Sequence, residues 1–276
     1  MMGNKTVSRR GMLHGALLLG LLPFAVANAS GQAAGAAPED PTDDPLMIAG
    51  GFLNAHPDLQ YRMYGLEAYK EGRMEKALAY FTRASFYADK PSQGMVAEMY
   101  WNGQGHPQDK VQAYIWMDLA AERGYTGFLG LRERYWAGLD ADEQARAIEE
   151  GQAIYARYGD AAAKPRMAAT LRRAAKRITG SRTGRPIGNL QIVVPGPGGT
   201  EMVLDGSKFY DERFWDPDEY QKWQDSVWAS PRIGRVNVGE LERVDGALPP
   251  VQSRVPATEP EHDAPEPDVP EEPRDE

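Results

Sequence analysis

Few residues in this 276-residue chain are of the types that perform catalysis or bind metal ions. The sequence has no cysteine and four histidines, which stand at positions 14, 56, 106 and 262. Without cysteine, neither a disulfide nor a thiolate metal site can form, and histidines this far apart do not indicate a His/Cys site. His106 stands close before Asp109 and is interpreted as part of a helix elbow. The sequence therefore predicts no metal and no cofactor.

Signals for acyl transfer and acid–base catalysis are weak. No G-x-S-x-G motif for an activated serine occurs. Adjacent carboxylates such as Glu149 and Glu150 point to different sides of a helix and do not face one another. A pair of acids brought together from distant positions is left open by the sequence. The preferred interpretation is that the protein is not an enzyme.

The most aromatic stretch runs from Tyr210 to Trp228. Trp215, Trp223 and Trp228 lie close together in it. They could form a platform that stacks on sugars or peptidoglycan, or they could be the core of a small appendage packed on the rest of the chain. The core interpretation is preferred. Asp216-Pro217 predicts a helix start within this stretch.

Any functional surface must be positioned by the stretch from Gly94 to Gly124. Small and apolar residues in its second half recur at i, i+3, i+4 and i+7, the spacing of one helix face. They are Ala113, Trp116, Met117 and Ala120. Gly103 ends a shorter pattern before them, and Asp109 stands where a helix N-cap is expected. The stretch predicts a hairpin of two helices.

The hairpin pattern recurs along the chain. Residues 135–138 repeat the order of residues 100–103 at a spacing of 35 (135 minus 100), and second-helix alanines recur after 36 (113 minus 77). A period in the middle thirties is typical of a helical repeat array, in which neighbouring hairpins share a core. We predict six helices in three hairpins from about residue 57 to residue 159.

The middle copy resembles a Sel1-like repeat, a relative of the tetratricopeptide repeat. The positions that match are Tyr100, Gly103, Gly105, Asp109, Ala113, Trp116, Ala120, Ala121 and Gly124. The flanking copies match less closely, since residues 71–73 replace the Gly-x-Gly elbow and the third copy has no Ala-Ala-x-x-Gly end. The resemblance implies a mainly α fold, an α-solenoid of Sel1/TPR-like hairpins. It also implies adaptor work with proteins or in the cell envelope.

Arrays of this kind bind partners on the surface formed by the first helix of each hairpin. The predicted partner-binding residues are Glu67, Lys70, Glu98, Trp101, Arg134 and Trp136. The alternative is that Trp101 and Trp136 pack between hairpins. The leading function is an exported, non-catalytic adaptor that binds a protein partner of the cell envelope. A peptidoglycan- or glycan-binding protein that uses the Trp cluster is the alternative, and an envelope hydrolase is the third hypothesis.

Residues 1–29 have the pattern of a cleaved signal peptide. Arg9 and Arg10 precede an apolar run of about 15 residues, which is too short to span a bilayer. Ala27-Asn28-Ala29 is a small-x-small cleavage signal. The paired arginines also suit a twin-arginine signal. The sequence predicts a periplasmic or secreted protein without a stable membrane anchor.

Charge is distributed unevenly toward the C-terminal side. The net charge of −9 argues against nucleic acid as a partner. Eight basic and no acidic residues lie between residues 161 and 200, so a basic helix should cap the solenoid. Its charged face could dock an anionic partner such as cell-wall polymer, but a solvated face is preferred. Residues 247–276 contain eight prolines and a charge of −7, which predicts a disordered tail that could pair with the basic helix.

The predicted organisation has six parts. They are a signal peptide (1–29), a disordered leader (30–56), three Sel1-like hairpins (57–160), a basic capping helix (161–180), a β-hairpin and Trp-rich appendage (181–246), and a disordered acidic tail (247–276). In the appendage, residues 190–194 and 201–204 are predicted strands, and residues 235–244 are the candidate for a third. The fold class is mainly α with a small β-rich appendage and disordered termini.

Overall fold

Helices make up most of the chain that the structure, a computed structural model, describes. It describes residues 40–179, 191–229 and 249–270. After a short helix α1 (Pro45–Ala49), three hairpins pair α2 (Pro57–Lys70) with α3 (Met74–Ser85), α4 (Lys90–Asn102) with α5 (Lys110–Ala120), and α6 (Thr126–Ala137) with α7 (Ala141–Tyr158). Short 3-10 turns occupy Pro41–Asp43, Phe52–Ala55 and Ala121–Arg123. The six predicted helices are confirmed.

The middle hairpin is delimited by the residues that the sequence predicts. Gly103 has a φ of +68°, a left-handed conformation that ends α4 at little cost because glycine has no Cβ. The Asp109 carboxylate then accepts a hydrogen bond from the Gln112 backbone N–H and caps α5. Asp89 caps α4 in the same way through Ser92. Each of the two helices thus begins at its own capping carboxylate.

Small residues set the spacing of the hairpins. Ala97, Trp116 and Ala120 are buried in one core shared by the three hairpins, as predicted. Gly65 of α2 lies against Phe81 of α3, and a Cβ built on Gly65 would come within 2.6 Å of the Phe81 ring. Burial of this core is the main force that holds the hairpins together.

The capping helix α8 (Asp160–Thr179) matches the predicted range of 161–180 to within one residue at each end, and Pro165 lies inside it. It starts at Asp160 because the carboxylate of this residue is held by an ion pair with Lys90 at 3.1 Å and a pair of hydrogen bonds from Arg123. The Asp160 backbone N–H also donates to Glu122 at 3.0 Å. The charge cluster ties α8 to the middle hairpin.

Residues 40–55 are ordered, which corrects the predicted disordered leader for that part of it. Met47 and Phe52 are fully buried in a second core, together with Leu171 of α8 and Trp223. The order of these residues cannot be read from the sequence, because α1 and the 3-10 turns are too short to show a helical period. Their apolar side chains are buried by partners more than 100 residues away in the chain.

The appendage contributes seven of the 15 buried residues of that second core. Strands β1 (Gln191–Pro195) and β2 (Glu201–Asp205) form an antiparallel hairpin around a Pro197–Gly199 turn, as predicted. Short helices α9 (Gly206–Phe209) and α10 (Glu212–Trp215) lead to α11 (Pro217–Ala229). Trp215 and Trp223 are 9% and 4% exposed, so they are core residues and offer no face to a sugar ring. The predicted third strand and the signal peptide lie outside the described residues.

The tail segment, residues 249–270, corrects the predicted disorder for most of residues 247–276. It runs across the helices without regular secondary structure of its own. Val255 is 6% exposed, and the Glu261 backbone N–H donates to the Ala156 carbonyl at 2.7 Å. Composition indicates that the segment cannot form its own core, but helices α3 and α5 to α8 supply the partners it lacks.

Candidate interaction groove

The six predicted partner-binding residues do not share one environment. Three are exposed, and they are Glu67, Lys70 and Arg134. Three are half-buried, and they are Glu98, Trp101 and Trp136. Trp101 stacks on Tyr135 with 4.2 Å between ring centroids and 8° between ring planes, so it packs between the second and third hairpins. This is the alternative that the sequence analysis had left open for Trp101.

Trp136 instead contacts the tail segment. Its ring lies 4.8 Å from that of Tyr114, and the Arg254 guanidinium carbon lies 4.8 Å from its ring centroid. We call the surface of α3, α5, α6, α7 and α8 that contacts residues 249–270 the tail groove. Trp136 joins the predicted partner-binding residues to this groove.

A buried polar centre forms the floor of the tail groove at α5 and α6. Arg132 and Asp118 are both fully buried in side-chain terms, with 3.6 Å between their nearest charged atoms. Arg132 donates to the backbone carbonyls of Pro250 and Val251, the latter at 3.1 Å. Asp118 accepts from the hydroxyl of Ser253. The tail segment thus adds two acceptors for Arg132 and one donor for Asp118, beyond the contacts that these groups make with Glu133 and Tyr155.

Protonation of Asp118 depends on the same contacts. Burial raises the pKa of Asp118, and hydrogen bonds from Ser253 and from Tyr155, at 3.1 Å, oppose that rise. Removal of Ser253 would therefore favour the neutral carboxyl. The centre has the properties of a recognition site, with a fixed acceptor and a fixed fork of donors aimed at a peptide backbone.

The other end of the tail groove lies on the first hairpin. The Glu266 carboxylate accepts from Arg83 Nε and Nη2 at 2.8 and 2.7 Å, and from the Tyr87 hydroxyl at 3.0 Å. Burial, together with the Glu266 charge, raises the pKa of Tyr87. Arg166 of α8 donates to the Glu261 backbone carbonyl at 3.0 Å, a contact with the main chain of the tail and not with one of its carboxylates.

Neither the polar centre nor the tail contacts were predicted from the sequence. Asp118 stands inside an apolar stretch of α5, which could have marked it as a buried carboxylate. Arg254 is the sole basic residue between positions 247 and 270, which could have marked it as an anchor in an acidic tail. Neither signal says which helices the two residues meet.

Residues 91–125 match the family model of the Sel1 repeat. This range covers α4, α5 and the turn that follows, which is the hairpin with the glycine elbow and the Asp109 cap. The chain contains a Sel1 repeat. Sel1 repeats generally mediate protein–protein interaction, and the family is generally of a non-catalytic adaptor type. No curated protein and no solved structure matches the chain.

The Sel1 repeat supplies α5, and with it Asp118 and Tyr114, to the tail groove. Within residues 40–179, 191–229 and 249–270, no group of three His, Asp or Glu side chains is placed to hold a metal ion. In the same ranges no helix has the length and apolarity to cross a membrane.

A second polar cluster lies beside the Sel1 repeat, at a cavity of about 350 Å³ between α8 and α11. Asp58, 1% exposed, lines it and accepts from the Tyr220 hydroxyl at 2.7 Å and from Gln224 at 3.1 Å. Burial, with the nearby charge of Asp89, raises the pKa of Asp58 to about 7. Burial lowers the pKa of His56 to about 4, against hydrogen bonds to two backbone carbonyls.

These two shifts act on stability in opposite directions. The folded pKa of Asp58 lies above its unfolded value, so its contribution is full below about pH 4 and is lost as the pH rises to about 7. The folded pKa of His56 lies below its unfolded value, so its contribution is full above about pH 6.5 and is lost toward pH 4. Between pH 4 and 6.5 the two largely offset one another.

Asp58→Asn should separate the two effects. We expect the variant to be more stable than the parent at pH 7.5 by on the order of 1–3 kcal/mol, because no buried charge has to form. Its stability should also fall more steeply on acidification, since the His56 effect is then unopposed. Urea unfolding across pH 4.5–8 measures both, with the exposed Asp218→Asn as the control. A pH profile unchanged by Asp58→Asn would contradict the assignment.

Proposed function

We propose that the protein is an exported adaptor whose tail groove binds an extended segment of a protein partner in the cell envelope. The observation that supports this most directly is the tail segment itself, an extended proline-containing chain lying across the repeats. Arg132 and Arg157 donate to its backbone carbonyls, a type of contact that does not depend on side-chain identity. A surface built to hold one extended chain can hold another of similar chemistry.

Export is proposed from the signal-peptide pattern of residues 1–29. Cell fractionation with N-terminal sequencing checks it, and the mature protein should begin at Ser30. If the protein is found uncleaved in the cytoplasm, the proposed envelope location is wrong, but peptide binding by the tail groove is unaffected. Of the other five predicted contact residues, Glu67, Lys70, Glu98 and Arg134 stay a prediction for a second surface on α2, α4 and α6, while Trp101 packs on Tyr135.

A protein that ends after Leu248 should bind the tail segment when it is supplied as a separate peptide. The repeat core is built from the helices, so we expect the shortened protein to keep its fold. The peptide of residues 249–270 should bind it with a micromolar Kd. The full-length protein should bind the peptide at least tenfold more weakly, because a linked tail competes at an effective concentration on the order of 1 mM.

Fluorescence anisotropy with a labelled peptide measures this, and a scrambled peptide of equal composition is the control. A circular-dichroism spectrum establishes that the shortened protein is folded. If that protein is folded and yet does not bind the peptide, the groove is not a binding site for a separate segment and the proposal fails.

A further inference from the structure

The tail groove holds Arg254 by two kinds of contact at once. Its Nη1 and Nη2 donate to the Glu133 carboxylate at 3.0 and 2.6 Å, a bidentate pair. The same guanidinium lies over the Trp136 ring at 4.8 Å from the centroid. Arg254 also lowers the pKa of Glu133 through these hydrogen bonds. A lysine has neither the planar fork nor the stacking face, so this position discriminates between the two cations.

The next residue, Val255, packs against a glycine of α7. Gly151 of α7 lies under it, and a Cβ built on Gly151 would come within 2.6 Å of Val255 Cγ2. Gly151 has no positive φ among the described glycines and sits inside a long helix, where alanine would be the better residue. The absence of a side chain at position 151 therefore makes room for the branched side chain of the tail.

The contacts between the two ends of the tail groove are different in kind. From Glu261 to Pro265 they are made by backbone groups, with Ala156, Arg157 and Arg166 as partners. A specific side-chain contact returns at Glu266, which Arg83 holds with two hydrogen bonds. Specificity thus resides in an arginine and a following branched residue, and in a carboxylate 12 positions later (266 minus 254).

We infer that the partner segment carries this same pattern and enters the groove by displacing the tail. The pattern is an extended, proline-containing segment with an arginine before a β-branched residue and a carboxylate 12 positions later. This rests on the function proposed above and adds the chemistry of the partner. A lysine-containing or uniformly acidic segment is not bound in its place.

The full-length protein can report displacement directly. Because it has no native cysteine, Gln252→Cys gives one labelling site at an exposed tail position. Synthetic peptides of residues 249–270 are then titrated, and fluorescence anisotropy follows release of the labelled tail. Relative to the natural peptide, we expect half-displacement to need about 10-fold more of an Arg254→Lys peptide and about 30-fold more of an Arg254→Ala peptide. A peptide with the exposed, matched Glu259→Gln should act within about twofold, while Glu266→Gln should be about 10-fold weaker.

Gly151→Ala tests the packing of Val255 on Gly151 separately. The added methyl should reverse the preference, so that a Val255→Ala peptide displaces the tail better than the natural peptide does. Gly127→Ala on α6 is the matched control, because a Cβ at Gly127 would meet nothing within 4 Å. Both changes replace a helical glycine by alanine, so both variants should stay folded.

The outcomes separate the two proposals. If the Arg254→Ala peptide displaces the tail as well as the natural one, the inferred pattern is wrong while the groove still binds peptide. If no peptide displaces the tail and the shortened protein also binds none, the proposed function itself fails. A stable dimer that exchanges tails, detected by light scattering, would make a second copy the occupant and overturn the inference of a separate partner.

Discussion

Gly105→Ala is expected to destabilise the protein by about 3–5 kcal/mol, near the upper end for a single substitution. Gly105 has a φ of +73°, which costs an alanine about 1–2 kcal/mol by itself. A Cβ at this position would also lie 2.5 Å from the Met74 carbonyl oxygen and 2.9 Å from the Glu75 backbone nitrogen. Because these atoms belong to the start of α3, relief of the clash requires the first and middle hairpins to move apart.

Gly72→Ala is the control that isolates the backbone strain. Gly72 has a nearly equal φ of +76°, but a Cβ there would meet nothing within 4 Å. We expect it to lose only the cost of the left-handed conformation, about 1–2 kcal/mol. Urea unfolding monitored by circular dichroism compares the two. Equal losses would show that the elbow of the Sel1 repeat does not press on its neighbour.

Asp160→Asn is expected to cost about 3 kcal/mol at pH 7, because it removes a carboxylate shared by two buried cations, which keep only Glu122 and Asp225 as charged partners. Lys90 is 1% exposed in its side chain and Arg123 is 8% exposed, and both contact this carboxylate. Burial alone would raise the pKa of Asp160, but the charges of Lys90 and Arg123 hold it well below its usual range. The carboxylate also lies at the start of α8, where the helix dipole favours a negative charge.

The pH dependence gives this prediction a second measurement. A lowered folded pKa contributes stability that is present above the unfolded pKa, near 4, and is lost as the pH falls below it. The difference in unfolding free energy between parent and variant should therefore narrow below about pH 4. Glu219→Gln breaks an exposed pair with Lys222 and should change stability by less than about 1 kcal/mol at any pH. A gap that stays constant down to pH 2 would show that the charge is not the cause.

The repeat hairpins could be predicted from the sequence because their signals are local. Gly103 and Asp109 act on the residues next to them, and Trp116 belongs to a stripe with a period of one helix turn. Each signal needs only the geometry of a single helix. The end of α4 and the start of α5 follow from these rules, whereas α2, α3 and α6 begin without a side-chain cap.

The rest depends on partners that lie far away in the chain. Arg254 meets Glu133 across 121 positions, and His56 meets Phe214 across 158. Proline and acidic residues predict a segment that cannot bury its own surface, and that is physically correct for the tail segment in isolation. The composition of the tail segment does not show that arginines on the helices are spaced to donate to its backbone carbonyls. The Asp118–Arg132 centre escapes prediction for the same reason, since neither helix pattern shows that it is covered.

The path of the tail segment changes how the array should unfold. In a solenoid each unit contacts only its neighbours, so its ends can fray independently. Here the tail segment is one continuous chain that forms ion pairs with Glu133 of the third hairpin and with Arg83 of the first. Breaking the contact at one end lengthens the unbound part of the tail segment and weakens its hold at the other end, so unfolding events at opposite ends of the array are energetically linked. A partner segment that displaces the tail segment therefore changes how cooperatively the whole array unfolds.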